Sequence, residues 1–440
     1  FYAHGALARA ADNIMQGQVD RGSFSGAVLV SRAGKVLFEH AYGMADAQSG
    51  TGNTLHTRFR IGSITKTFTA IIVMQLEGEH RLTLADSVCS YIQECPPGWA
   101  AITLHHLLSH TSGIYNLTRT KPGGQPLEQL LASPTTQAKV FARFIHEPLG
   151  FTPGAKFEYS NSNYWLLSRV IEKVTGLSYE QVLQQRIFDP ADMQDSGFTH
   201  DWSTTPHAAI GYWVSRQGKL ERAPVVDGSW LAGDGGIYST VLDLEKFSDA
   251  LDSGILVPRA TLERMRRPVT AEYGYGWSTP RISKLTVNRQ QVGHGGSLPG
   301  FVSQFQRFEA EKLTVIVLSN NQRSDPPQVA EGLVSAVFKE PFTPLYERES
   351  VEVPQAILQR YVGDYDLEGV IWTLFLRNGH LFVKAKDGST PDIELLAESE
   401  VVFFIRGSDT DITVLENGKG EVDGLSANMR DASRFAKKLR

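Results

Sequence analysis

Apolar residues recur every three or four positions through residues 5–20, the mark of an amphipathic helix, and the period then shortens to two. Gly26–Ser31 and Lys35–Tyr42 alternate on either side of Arg32-Ala33-Gly34, which predicts a β-hairpin and the start of a sheet. From Thr65 to about Thr199 the helical period returns. Its segments are Thr67–Glu77, Leu104–His110, Gln137–His146, Ser162–Thr175 and Tyr179–Ile187, separated by clusters such as Lys121-Pro122-Gly123-Gly124. Strands are expected again at Tyr275–Ser278, Arg289–Val292, Phe301–Phe308 and Leu313–Ser319, followed by a helix at Gln328–Phe338. Strands thus flank a helical insert, which predicts an α/β fold: an antiparallel sheet flanked by helices, with an all-helical subdomain.

The segment 341–354, from Pro341-Phe342-Thr343-Pro344 to Val353-Pro354, is proline-marked and charged, as a linker is. Beyond it, short alternating runs lie at Val370–Leu376, His380–Ala385, Ile393–Ala397, Val401–Ile405 and Ile412–Glu416, divided by Asn-Gly, Asp-Gly and Gly-Ser turns. They predict a small C-terminal antiparallel β-barrel. The expected organisation is a main domain over residues 1–345 and a barrel over 355–440. No repeat of fixed period and no low-complexity tract interrupts it.

Composition narrows the function classes. With 440 residues, 41% hydrophobic and 21% charged, the chain can bury a sizeable core and exceeds what one ordinary core organises. A net charge of −5 without any Lys/Arg run argues against a nucleic-acid partner. No stretch approaches the ~18 consecutive apolar residues that span a bilayer. Phe1 to Ala10 lacks the charged region and apolar run of a signal peptide, as a processed chain also would. Cys89 and Cys95, six apart, fit neither a zinc ribbon nor a redox C-x-x-C pair. A short-loop disulfide, which needs an oxidising compartment, and two free buried thiols both stay open.

Three polar segments carry candidate chemistry. In Phe59-Arg60-Ile61-Gly62-Ser63-Ile64-Thr65-Lys66-Thr67-Phe68 a serine sits where a loop turns into an apolar-periodic helix, and Lys66 shares its face. A lysine shielded from water can lose its proton near neutral pH and activate the serine, beside the positive end of the helix dipole. A capping serine with a surface lysine has the same spelling. In Glu158-Tyr159-Ser160-Asn161-Ser162-Asn163-Tyr164, a polar turn before a helix, Tyr159 and Asn161 project to one side. A phenol there can relay a proton, and an amide can hold the lysine and a substrate carbonyl. Helix capping by Asn161 or Ser162 accounts for the segment equally well. Gly293-His294-Gly295-Gly296-Ser297-Leu298-Pro299-Gly300-Phe301 lies between two expected strands, where glycines let a substrate backbone approach the sheet edge. A lone histidine among glycines is more often structural.

Together and in this order, S-I-T-K, Y-S-N and H-G-G make the chain resemble the serine penicillin-recognising family, over roughly residues 10–340. That family comprises class C β-lactamases, D-alanyl-D-alanine carboxypeptidases (penicillin-binding protein-like enzymes) and related D-peptidases and esterases. Leu107-Leu108-Ser109-His110-Thr111-Ser112-Gly113 and Ala232-Gly233-Asp234-Gly235-Gly236-Ile237-Tyr238-Ser239-Thr240 are further family-like phrases, which border the cleft in relatives. The resemblance implies a β-lactamase/transpeptidase-like fold and a two-step acyl transfer without metal or cofactor. Ser63 would attack a carbonyl, Lys66 and Tyr159 would share the proton work, and Asn161, His294, Gly295, Gly296 and Ser297 would bind substrate. The N–H groups of Ser63 and Ser297 would form the oxyanion hole. Class C β-lactamases usually carry Lys where this chain has His294, whereas several D-peptidases carry His. A neutral imidazole holds a carboxylate less strongly than an ammonium does. The terminal barrel resembles the lipocalin-like appendage of some D-aminopeptidases, where it rims or occludes the cleft. The expected activity is therefore that of a D-amino-acid peptidase or amidase, taking a small-molecule or peptide substrate in a periplasmic or extracellular setting. A class C-type β-lactamase, a small-ester hydrolase and a non-catalytic cell-wall-binding protein are the alternatives, and the oligomeric state is not legible.

Other signals lead elsewhere. His106 and His110 are four apart on an expected helix, but no third metal ligand follows at a convincing spacing, so structural or cleft-bordering roles are expected. Asp364-Tyr365-Asp366-Leu367-Glu368-Gly369 opens like a calcium loop, yet Phe375 stands at the twelfth position and strands flank it. Gly233–Gly236 lacks the spacing of a phosphate cradle, and Trp165, Trp213, Trp230 and Trp277 are expected in the core or the cleft lining.

Overall fold

The structure is a computed structural model that describes residues 6–119, 127–198, 201–214, 219–270, 272–279, 289–342, 344, 348–367, 369–386, 392–405, 410–429 and 432–439. The expected turn at Lys121–Gly124 lies outside them, as do Thr343 and Glu368. The chain divides into two compact units, Phe1–Glu340 and Pro341–Arg440.

A five-stranded antiparallel sheet organises the first unit, in the order Val292–Leu298, Phe301–Phe308, Leu313–Ser319, Gly26–Arg32, Lys35–Tyr42. Val28 lies opposite Val317 and Val30 opposite Val315, so the early hairpin is completed by strands nearly three hundred residues later. Both central strands are apolar almost without interruption because both sheet faces are covered. The helices Ala6–Asp20 and Pro326–Phe338 bury Met15, Val329 and Leu333 against Val28, Val30 and Val315. From the opposite face Ala27, Leu29, Ile316 and Leu318 join the large core that surrounds the helix Thr65–Gly78. That helix is buried on all sides, including Lys66 in its first turn.

The helical insert is present, with Leu104–Leu108 and Gln137–Ala142 shorter than expected and a further helix at Leu127–Leu131, and the helices Val241–Asp252 and Arg259–Arg266 follow beyond it. Leu104–Leu108 stops early because His110 takes a left-handed backbone, φ +55°, which no helix continues through. Tyr275–Ser278 is not a strand. Gly276, at φ +76°, turns the chain onto the Lys66 carbonyl, where a Cβ would stand 2.7 Å away, and only isolated bridges form there. The strand expected at Arg289–Val292 begins at Val292 and runs to Leu298, so His294-Gly295-Gly296 lies within a strand rather than between two. Cys89 and Cys95 form a disulfide, which decides the question left open by their spacing. Among the described residues no helix is long and apolar enough to cross a membrane.

The second unit is a closed barrel of eight strands paired in sequence order. Three strands join the five expected, Gly363–Leu367, Val422–Met429 and Ala432–Lys438, and the first and last close the barrel through Tyr365 opposite Lys438. Tyr365, Leu374, Leu381 and Phe403 fill its core, with Leu358 and Tyr361 of the helix Gln355–Tyr361 packed among them. Arg348 pairs with Asp411 and Glu398, and the Val351 N–H donates to the Ala397 carbonyl at 2.8 Å. The segment read as a linker is thus fastened to the barrel, and the division between the two units lies at its start, Glu340/Pro341.

Glu245 on Val241–Asp252 is 8% exposed, and one of its carboxylate oxygens has no partner. Burial pushes its carboxyl from the ordinary 4.5 up to about 7. The folded state then holds the proton longer than the unfolded chain, so stability falls as pH rises from the ordinary carboxylate range through about 7. Glu245→Gln is expected to raise stability at pH 8 by about 2 kcal/mol and to change it little at pH 4. Urea unfolding of both proteins at the two pH values checks this, and an equal gain at both would contradict it.

Candidate active site

The site begins at Gly62. It leads a 3-10 turn, Gly62–Ile64, into the buried helix, and its φ of +52° together with a Cβ position 2.7 Å from the Ser297 nitrogen excludes a side chain. Ser63 therefore stands at the junction of turn and helix, with Lys66 one turn on. The Lys66 Nζ lies 3.0 Å from Ser63 Oγ, 2.8 Å from Asn161 Oδ1 and 2.7 Å from the Asp234 carbonyl. The last two atoms can only accept. A neutral amine keeps its two N–H groups on them and turns its lone pair to the one partner with a proton to give, the Ser63 hydroxyl. Burial pushes the Lys66 ammonium down to about 7, opposed by the charge of the Asp234 carboxylate. The faces of Tyr159 and Tyr164 lie 4.9 and 5.8 Å from the nitrogen.

Asn161 is held rather than capping. The N-cap of the helix Asn161–Thr175 is Ser160, which makes no side-chain cap. The Asn161 amide donates from Nδ2 to Thr118 Oγ1 at 3.3 Å, which leaves Oδ1 for Lys66. Burial raises the Tyr159 phenol above its ordinary value, with a hydrogen bond to Ser63 pulling the other way. At neutral pH the phenol keeps its proton and can act as a donor.

His294 is 6% exposed. Its Nδ1 is 2.6 Å from the Gly295 carbonyl and must donate to it, so Nε2 accepts from the Tyr273 hydroxyl at 3.0 Å. Burial, with Lys66 adding to it, pushes the ring down to about 4. The imidazole is neutral, and neither nitrogen is left for a substrate carboxylate. Gly296 lies so close to the Ile61 carbonyl that a Cβ would sit 1.9 Å from it. The strand Val292–Leu298 is at the sheet edge, and Gly293 donates outward to the Ser278 carbonyl at 3.0 Å. In an antiparallel ladder every second residue faces outward, so Ser297 directs its N–H off the same open edge, beside the Ser63 turn. The Ser63 N–H lies in a first turn, where amides lack intrahelical acceptors.

A cavity of about 350 Å³ opens at Ser63. Leu117, Leu131, Trp213, Trp230 and Leu298 give it apolar walls, and Glu128 brings a carboxylate to its lining. Trp165 and Trp277 are core residues instead. The structure thus gathers Ser63, Asn161 and Tyr159 around Lys66, with Ser63 and Asn161 lining the cavity, Gly295–Ser297 along the sheet edge and His294 behind it. Sequence reasoning missed Tyr273, which has no motif, and, although it placed the phrase Ala232–Thr240 at the cleft border, it did not single out the Asp234 carbonyl as a partner of Lys66. A Cβ on Gly233 would meet the Tyr164 carbonyl at 2.8 Å, and one on Gly236 would overlap Phe198. His106 and His110 are engaged separately, the first by the Thr103 N–H and the second by the Ser160 N–H. Among the described residues no three His, Cys, Asp or Glu side chains form a metal-holding group.

The Beta-lactamase family model matches residues 10–337. The chain is 26% identical over 423 residues to penicillin-binding protein 4* of Bacillus subtilis (strain 168), covering 89% of this chain and 90% of that protein. It is 27% identical over 349 residues to a D-aminopeptidase of Gluconobacter oxydans (strain 621H), covering 77% of this chain and 62% of that one. Among solved structures, a D-stereospecific amidohydrolase from Streptomyces sp. matches with a TM-score of 0.64 at 28% identity, over 75% of this chain and 98% of that chain.

If the Lys66 lone pair activates Ser63, labelling of Ser63 by a fluorophosphonate should accelerate as pH rises through about 7, where the ammonium loses its proton. Lys66→Met is expected to slow labelling by about 100- to 10,000-fold. Intact-mass time courses between pH 5 and 9 provide the measurement, and a flat profile would refute the assignment.

Proposed function

The chain belongs to the beta-lactamase family, and on that premise we propose that it is a serine amidase or peptidase acting on D-amino-acid amides or peptides through an acyl-enzyme. The observation that carries the reading is that Lys66 Nζ contacts two acceptor-only carbonyls and the Ser63 hydroxyl, so that in the neutral amine the lone pair faces Ser63. Lys66 takes the Ser63 proton as Oγ attacks the substrate carbonyl, forming the C–O bond. The negative charge on the carbonyl oxygen is met by the N–H groups of Ser63 and Ser297, each worth a few kcal/mol in the transition state. As the C–N bond breaks, Tyr159 gives its proton to the leaving amine and recovers one from the Lys66 ammonium. Water then attacks the ester carbonyl as Lys66 accepts its proton, and as the acyl C–Oγ bond breaks Lys66 returns that proton to Ser63 Oγ, releasing the acid and restoring both groups.

The substrate class rests on two supports. A relative named D-aminopeptidase is similar in sequence over 77% of this chain, and a solved structure named D-stereospecific amidohydrolase shares its fold over 75% of it. The cavity at Ser63 pairs apolar walls with the Glu128 carboxylate, which favours an apolar acyl group and disfavours a free carboxylate there. His294, neutral and bonded at both nitrogens, adds no cation to oppose that preference. A periplasmic or extracellular setting belongs to the same proposal, because the Cys89–Cys95 disulfide persists in an oxidising compartment.

A panel of D- and L-phenylalanine amide, a D-amino-acid dipeptide, nitrocefin and p-nitrophenyl acetate separates the readings. D-phenylalanine amide should be turned over faster than its L-enantiomer, and Ser63→Ala should abolish turnover. Preferred nitrocefin hydrolysis would make the protein a β-lactamase, ester cleavage alone an esterase, and inertness toward every acylating probe a binding protein.

A further inference from the structure

The phrase Leu107–Gly113 supplies no group to the proton transfers above, yet its backbone is laced to the segment that ends in Tyr159. Gly150 donates its N–H to the Gly113 carbonyl at 2.8 Å, Gly154 to Thr111 at 2.8 Å and Glu158 to His110 at 2.9 Å. The last rung is a side chain: the Ser160 N–H donates to His110 Nδ1 at 3.2 Å. His110 therefore grips the chain on both sides of Tyr159, by its carbonyl at residue 158 and by its ring at residue 160. The same ring lies against the Tyr159 ring, centroids 4.3 Å apart and planes 35° apart.

The geometry points to His110 as the positioning residue for Tyr159, acting only as the neutral ring with its proton on Nε2; this rests on the reading of Tyr159 as the proton donor to the leaving group. The tautomer follows from the donors. A backbone N–H cannot accept, so Nδ1 must offer a lone pair to Ser160. Asn163 donates to the same Nδ1 from Nδ2 at 3.1 Å, because its Oδ1 accepts from Ser112 Oγ at 2.6 Å. Ser112 is fixed in turn by the Ile114 N–H, at 3.1 Å. A proton on Nδ1 would face two donors and break both contacts.

The environment keeps that proton away. His110 is fully buried, and Lys66 and His294 are the titratable groups that could add charge, with the phenols of Tyr159, Tyr164 and Tyr273 completing the wall. Burial, then Lys66, then His294 push the imidazole well below its ordinary value. Nε2 is buried without a hydrogen-bond partner, and the residue holds a left-handed φ of +55° that few side chains adopt. Such strain and such an orphan persist where surrounding contacts overdetermine the position.

Two variants divide the role. His110→Asn keeps an acceptor near Nδ1 and tolerates the left-handed backbone, whereas His110→Phe keeps the ring and loses the acceptor. Each is made in the full chain, alone and with Tyr159→Phe, and kcat and KM are normalised to the fraction of Ser63 titrated by fluorophosphonate. His110→Phe should lower kcat by about 100-fold with KM little changed, the size of effect expected from misplacing a reacting group by about 1 Å. His110→Asn should recover most of that loss. In the Tyr159→Phe background His110→Phe should cost almost nothing further, because the two act as one unit. Equal costs in both backgrounds would overturn the inference, as would a loss that disappears on normalisation to titrated sites. Full activity of Tyr159→Phe alone would instead bring down the reading of Tyr159, and this inference with it.

Discussion

Everything at the site answers to one constraint, the burial of the Lys66 ammonium in the first turn of a helix enclosed on every side. A cation removed from water needs acceptors or a lowered affinity for its proton, and this one has both. Its acceptors are Asn161 Oδ1, the Asp234 carbonyl and the Ser63 hydroxyl, one for each N–H of the charged form. Asp234 offers a carbonyl at 2.7 Å, while its carboxyl is itself buried and accepts from the Ala232 N–H. A carboxylate in direct contact would have fixed the proton on the lysine. Burial and the charge of Lys66 in turn push the two nearby imidazoles, His110 and His294, below their ordinary value.

The requirement that the lysine be dry also explains the glycines. For Asp234 to reach Lys66 with its backbone, Gly233 and Gly236 must pass atoms where a Cβ has no room. For the edge strand to meet the Ser63 turn, Gly62 and Gly296 must come equally close to Ser297 and Ile61. These contacts bring the Ser297 N–H to the nucleophile along an edge that would otherwise be a free pairing surface. The apolar strands behind it, Gly26–Arg32 and Leu313–Ser319, hold that edge in place through a register spanning nearly the whole first unit.

This division explains what the sequence made legible. Period-two and helical patterns located the hairpin, the flanking helices and five strands of the barrel, because burial on one or two faces dictates those patterns. S-I-T-K and Y-S-N were legible because the proposed proton chemistry uses their side chains, and H-G-G because a histidine beside glycines marks a close approach at the sheet edge. Val292–Leu298 was hidden because its glycines serve close approach and so depress strand propensity. Tyr275–Ser278 misled for the opposite reason: it has strand composition, but Gly276 turns it onto Lys66. The Asp234 contribution comes from a backbone carbonyl, which leaves no trace in residue identity. Fastening of residues 348–351 to the barrel depends on partners some fifty residues away, Glu398, Asp411 and Ala397, so local composition alone read as a linker.

Burial also separates the acid from the base. Desolvation penalises whichever form is charged, so it lowers the proton affinity of a buried lysine and raises that of a buried phenol. Lys66 falls to about 7 while Tyr159 rises above its ordinary value. One cause thus moves the two groups apart in protonation, so that near and above neutral pH a large share of the amine carries a free lone pair while the phenol keeps its proton. An ionised tyrosine serving as the base would need a cation to stabilise it, and the candidate, Lys66, stands over the ring face at 4.9 Å from the centroid. In the proposed mechanism Lys66 starts uncharged, so that stabilisation is absent. The neutral amine with the protonated phenol is the pairing that the proposed acyl transfer uses, a lone pair to take the Ser63 proton and a phenol proton to give to the leaving amine.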